Sequence, residues 1–97
     1  MAERYAVATG NWSAVGTWDG GATLPTTGDD VHANTYTVTI DQDVTVGTLR
    51  TTAGGTAAAG GAFTVSGTRT VTADCIAGTS KCLVINNSSV LIGNTTG

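Results

Sequence analysis

Residues 35–40 read TYTVTI, so that Tyr36, Val38 and Ile40 alternate with Thr35, Thr37 and Thr39. Period-two spacing puts every second side chain on one face of an extended chain, and it predicts a β-strand with one buried and one polar face. Val44 and Val46 continue the alternation, but Leu49 falls out of phase. Gly47 lies between them and marks a bulge or bend, the usual reason for a glycine inside a strand. Phe63 and Val65 share a face further on, as do Val71, Ala73 and Cys75. The runs CLVI at 82–85 and VLI at 90–92 are continuously apolar, which predicts strands buried on both faces. No apolar stripe recurs at three and four residues, so helices are not expected.

The outward positions Thr35, Thr37, Thr39, Thr45, Thr64, Thr70 and Thr72 carry hydroxyls where charges usually stand. Charged residues make up only 11% of the chain, against about 25% in an average soluble domain. Threonine has high strand propensity and keeps a face polar without charge. Glycine-rich connections separate the strands, and the longest, TAGGTAAAGG at 52–61, reads as a loop of small residues lying on a well-filled surface. The fold class is all-β, in one domain over residues 1–97. Residues 1–30 form an N-terminal docking segment and 31–97 the stacked strands. Two arrangements fit such short strands without helical crossovers: a small antiparallel sandwich or barrel, or the start of a β-solenoid with parallel sheets. Their spacing is too irregular to choose.

The net charge is −3, and the cations Arg4, Arg50, Arg69 and Lys81 are scattered. No basic patch exists to neutralise a phosphate backbone, so nucleic acid is not an expected partner. No run of about 18 apolar residues exists, and no membrane span is expected. The opening MAERYAVATG lacks the cationic start and apolar centre of a secretion signal, so export by the general route is not expected.

Individual residues carry little catalytic promise. His32 stands near Asp29 and Asp30 and supplies at most half of a nucleophile triad, since no GxSxG motif is present. Its expected place is a strand edge or the surface. Asp29, Asp30, Asp41 and Asp43 match no calcium loop and read as solvated turn carboxylates. One histidine and two cysteines do not make a zinc site. No catalytic residue, cofactor or metal is assigned, and the chain is not expected to be an enzyme. Cys75 and Cys82 bracket a short loop, and both a disulfide and a pair of buried thiols remain open. Trp12 and Trp18, six residues apart near the N-terminus, admit three roles: sealing the end of the β core, stacking on a sugar, or anchoring a partner. Sealing is favoured over sugar stacking, and it is compatible with anchoring.

The order of residues from 11 to 49 resembles a known group. Asn11-Trp12-Ser13, Thr17-Trp18, Gly20-Gly21, Pro25, Gly28-Asp29-Asp30-Val31, Tyr36-Thr37-Val38-Thr39-Ile40-Asp41, Val44 and Val46-Gly47-Thr48-Leu49 follow one another. This is similar to the N-terminal opening segment of β-helical fibre and decoration proteins of bacteriophages and of related bacterial surface proteins. It is also similar to the eight-glycine domains of extracellular proteins. The tail VINNSSVLIGNTTG looks like the Asn/Ser/Thr/Gly-rich coils that continue such fibres.

The resemblance implies a virion structural protein of a tailed phage, on the outside of the particle. It would be a capsid decoration (cement) protein or the particle-attached part of a head or tail fibre. The implied partners are further copies of the chain, as a trimer, and the major capsid or tail protein, with Tyr5, Val7, Trp12 and Trp18 as docking or trimer contacts. Another subunit, or a continuing chain, is expected to cover the C-terminal end. The alternative is a carbohydrate-binding or adhesive module on a bacterial cell surface, stacking sugars on Trp12, Trp18 and Tyr36. A non-catalytic fragment of a polysaccharide-degrading β-helix is a third reading.

Overall fold

The computed structural model describes residues 3–77 and 82–93, and the backbone alone of 95–96. Lys81, and Gly78 between the two cysteines, lie outside the described residues. Among the described residues there are ten strands: β1 (Glu3–Tyr5), β2 (Gly10–Asn11), β3 (Asp30–His32), β4 (Thr37–Ile40), β5 (Val44–Arg50), β6 (Ala62–Val65), β7 (Thr70–Ile76), β8 (Leu83–Val84), β9 (Val90–Ile92) and β10 (Thr95–Thr96). The only helical element among the described residues is one 3-10 turn, Val15–Thr17. The chain is all-β.

The strands sort into two sheets by parity. One sheet runs β1-β3-β5-β7 and ends on β9 and β10, which both pair with β7; the other runs β2-β4-β6-β8. Every ladder is parallel, so the antiparallel arrangement foreseen as one alternative is not what these strands form. Equivalent positions stack: Gly10 pairs with Val38, Val38 with Phe63, and Phe63 with Leu83. In the other sheet Val31 pairs with Leu49 and Leu49 with Cys75.

The period-two faces point as expected. Val38, Ile40, Phe63, Val65, Val71, Ala73 and Cys75 are buried, and they form the core between the sheets with Val31, Val44, Val46, Leu49 and Leu83. Gly47 sits where the β5–β7 register slips between Thr45 and Thr48. The Asp29 carbonyl accepts from both Gly47 N (2.9 Å) and Thr48 N (3.1 Å), the two-on-one pattern of a bulge. A Cβ at Gly47 would stand 3.0–3.1 Å from the Gly28–Asp29 backbone, so only glycine fits there easily. The bulge returns Leu49 to the inner face.

The 52–61 connection is a loop on a packed surface, as expected, and at Gly54 and Gly55 it lies against His32 and Glu3 of the β1-β3-β5-β7 sheet. Ala57 is buried, and a Cβ at Gly54 would meet the His32 ring. The last strands differ from expectation. Cys82 and Leu83 are buried and Leu91 is half-buried, but Val84, Ile85, Val90 and Ile92 are exposed. Among the described residues β8 and β9 have no strand on their far side, so their apolar runs find only partial cover.

Candidate functional site

The two ends of the stack differ in construction. At the N-terminal end the segment after β2 folds back along the first strand. Val7 N donates to Thr17 O (2.7 Å), Asp19 N donates to Tyr5 O (3.0 Å), and Ala6 forms an antiparallel bridge with Trp18. Backbone groups that an edge strand would leave unpaired are thereby used. Arg4 fastens this strap. Its guanidinium donates to Asp19 Oδ1 (2.9 Å) and to the carbonyls of Asp19, Thr23 and Leu24. Asp19 Oδ1 in turn accepts from Tyr5 N at 3.1 Å.

Trp12 and Trp18 lie beneath the strap, 1% and 0% exposed. Their rings meet edge-on at a centroid distance of 4.8 Å, and Trp12 also touches Phe63. Trp18 Nε1 donates to Trp12 O at 2.9 Å, which satisfies the one polar atom of a buried indole. Burial explains why both tryptophans stand here: they close the interior at its first turn. Neither offers a face to a sugar or a partner, so the sugar platform and the direct docking contact foreseen for this pair do not fit their position. Of the four docking residues expected, Val7 is exposed and Tyr5 half-buried. Tyr36, the third stacking residue considered, is half-buried against the core.

At the other end of the stack, no strand lies beyond β8, β9 and β10 among the described residues. The outward column that begins with Asn11 and Thr39 continues through Thr64 and ends in Val84; the column Thr45–Thr72 ends in Ile92. Threonines that keep the outer faces polar are thus replaced by apolar residues in the last coil. Val84, Val90 and Ile92 are 50%, 54% and 55% exposed, and residues 82–93 contain no charged side chain.

Titratable groups gather elsewhere, on the outer face of the β1-β3-β5-β7 sheet. His32 is buried beneath Gly54, not at the surface, because β3 is an inner strand and the 51–61 loop covers it. Its Nε2 lies 3.1 Å from Glu3 Oε1, while Nδ1 has no hydrogen-bond partner. The acid within hydrogen-bond distance of the ring is Glu3, where Asp29 and Asp30 were the acids considered, and no hydroxyl or thiol is bonded to the ring among the described residues. Asp30 accepts a hydrogen bond from Thr48 and forms an ion pair with Arg50, whose Nε stands 3.5 Å from Oδ1. The Thr48 hydroxyl, helped by the charge of Arg50 and opposed by burial, holds the Asp30 carboxyl below its ordinary value.

Asp29 is also less solvated than expected; it is buried and accepts from Thr26 N (2.8 Å) and the Thr26 hydroxyl. Asp41 accepts from Ser13 N and Oγ, and Asp43 from Thr70 N, so these turn carboxylates tie one coil to the next. No group of three or more His, Cys, Asp or Glu suited to a metal ion occurs among the described residues.

Cys75 and Cys82 are free thiols, each 2% exposed. Cys82 Sγ donates to Leu49 O at 3.1 Å, and Leu49 is the register partner of Cys75. The neighbouring Cys75 thiol, together with burial, pushes the Cys82 thiol far above the usual thiol range.

Sequence reasoning missed the Arg4–Asp19 strap, which the antiparallel fold-back along the first strand creates, and the Glu3–His32 pair, which the parallel register of β1 and β3 creates. The open edge carried one signal, the absence of threonine or charge at the outward positions of 82–92. Searches against protein-family models, curated proteins and solved structures find no match to this chain.

Proposed function

We propose that this chain is an assembly module: a β-solenoid whose successive coils each add one strand to both sheets, closed at its N-terminal end and built to be covered at its C-terminal end. One observation carries the reading, the contrast between the strap-sealed tryptophan end and the uncharged, apolar last coil. Exposed apolar surface at a sheet edge favours association, because burying it removes apolar area from water while the edge finds hydrogen-bond partners. Repeat folds need their ends covered for solubility; among the described residues the strap covers the N-terminal end, while Val84, Val90 and Ile92 stay exposed in the last coil.

Within that reading the protein serves as a virion structural protein of a tailed phage, a capsid decoration protein or the particle-attached part of a head or tail fibre. It acts by assembly on the outside of the particle and not by catalysis. The similarity of residues 11–49 to phage fibre and decoration proteins supports this choice, as does the low surface charge. The partners are further copies of the chain, as a trimer, and the major capsid or tail protein. Val84, Val90 and Ile92 take the contact role first given to the tryptophans, with Tyr5 and Val7 at the opposite end. The carbohydrate-binding alternative on a bacterial cell surface is less favoured, because Trp12 and Trp18 of its aromatic platform are buried.

Light scattering on the purified chain, coupled to mass spectrometry of purified phage particles, tests the proposal. A trimer that Val90→Asp with Ile92→Asp converts to folded monomer, and the protein's recovery from particles, are the expected results. A wild-type monomer at high micromolar concentration, absent from particles, overturns it.

A further inference from the structure

We infer that Cys75 and Cys82 form a modification site: a dithiol that a small disulfide, such as oxidised glutathione, converts into an intramolecular disulfide locking the last strand of the second sheet. The inference does not depend on the assembly role. Cys75 faces inward from β7 in one sheet, and Cys82 immediately precedes β8 in the other. Both cysteines border Leu49 in the core. Cys82 Sγ reaches the Leu49 carbonyl at 3.1 Å, and Leu49 is the lateral neighbour of Cys75. Phe63 N donates to Cys82 O at 2.8 Å, so the backbone of Cys82 is already held in place by the neighbouring coil. Two buried cysteines, one from each sheet, that share Leu49 as a neighbour are placed for a bridge between them.

The step balances as thiol–disulfide exchange. One cysteine thiolate attacks a sulfur of the oxidant and expels the first thiolate of the reagent, leaving a mixed disulfide. The second cysteine, deprotonated, attacks the protein sulfur of that mixed disulfide and expels the second. The protein gives up two protons and two electrons, and the reagent becomes two thiols. Burial sets the rate. With both sulfurs 2% exposed, exchange waits on local opening, and the edge next to them is the natural place for it, since β8 is a two-residue strand with Val84 outside.

The disulfide would tie β8 to β7 across the core. A cross-link over so short a loop acts mainly by restricting the unfolded chain, and in a domain of this size the melting temperature is expected to rise by about 10 °C. The experiment incubates the wild-type chain with oxidised glutathione, quenches in acid, alkylates under denaturing conditions and measures intact mass and melting temperature. Loss of two hydrogen atoms, no reaction with the alkylating agent, a monomer-sized chain on non-reducing gel and the higher melting temperature are expected. Cys82→Ala should instead carry one glutathione. Two alkylated cysteines after prolonged oxidation, a stable mixed disulfide on wild type, or an oxidised form that melts lower would each overturn the inference. Cys75→Ala gives a second single-thiol control should Cys82→Ala not fold.

Discussion

Trp18 shows how one residue does the work of a terminal coil. Its ring covers Trp12, its N–H satisfies the Trp12 carbonyl, and its backbone bridges to Ala6. Trp18→Ala should therefore cost about 3–5 kcal/mol, the range for deleting a buried aromatic. For a small domain that is a large share of its stability, and urea titration followed by tryptophan fluorescence or circular dichroism measures it. Trp18→Phe keeps the apolar bulk but leaves a buried carbonyl without its donor, and about 1–3 kcal/mol of loss is expected. An adhesive role for this residue predicts the opposite result, lost binding with stability unchanged.

The carboxylates make a separate prediction at the same scale. Asp30 is held below 3.8 chiefly by the Thr48 hydroxyl. Burial would raise Asp41, but the hydroxyl and N–H of Ser13 outweigh it, and its value is lowered too. A carboxyl depressed in the folded state contributes stability that is present above its unfolded pKa and lost as pH falls through the folded one. The urea midpoint should thus begin to fall below about pH 4. Ser13→Ala and Thr48→Val should each flatten that fall, because they remove the hydrogen bonds that make the folded carboxylates stronger acids.

Among the elements, the β3–β4 corner is the most demanding. Asn34 and Thr35 take φ values of 53° and 72°, a left-handed conformation that asparagine tolerates and a β-branched residue rarely adopts. The Asn34 side chain holds the corner: Nδ2 donates to Ala6 O at 2.9 Å, and Oδ1 accepts from Ala58 N at 2.8 Å. One side chain thus joins the coil before and the loop after. Asn34→Ala should cost about 2–3 kcal/mol through two lost hydrogen bonds and an alanine forced into that conformation, and Asn34→Gly should recover only the backbone part. Comparing the two urea midpoints separates these contributions.

Strand faces were legible in the sequence because alternation is local; Val38, Ile40, Phe63, Val65 and Val71 point inward as the spacing requires. The Gly47 bulge was legible for the same reason, as the phase slip before Leu49 needs one extra residue. Pairing was not legible. Val38 meets Phe63 and Leu49 meets Cys75 across connections whose lengths vary, and no local pattern encodes which strand lies beside which. His32 went astray for that reason: its burial depends on β3 lying inside the sheet and on Gly54 closing over it. Short apolar runs such as VLI at 90–92 also carry no information about which face remains uncovered.

Across the whole molecule the two ends should differ in dynamics as they differ in construction. Strands β3, β4, β5 and β6 have a hydrogen-bonded neighbour on each side, and β1 is flanked by β3 and, at Tyr5–Val7, by the strap. On their far side β8, β9 and β10 meet no further strand among the described residues. Local opening free energy follows the number of buried apolar contacts and paired backbone groups. Amide hydrogen exchange on the dilute chain should therefore show a gradient: slow exchange in β3–β6, intermediate near Tyr5 and Trp18, and fast exchange from Leu83 to Ile92. Raising the protein concentration should slow exchange in β8 and β9 first, since association covers that edge and leaves the sealed end unchanged. Arg4→Ala should act at the other end alone, because loss of the guanidinium frees the Asp19–Leu24 turn while leaving the last coil as it was. Uniform exchange along the stack, or concentration-dependent protection at Tyr5–Val7 instead of Val84–Ile92, would reverse the assignment of the two ends.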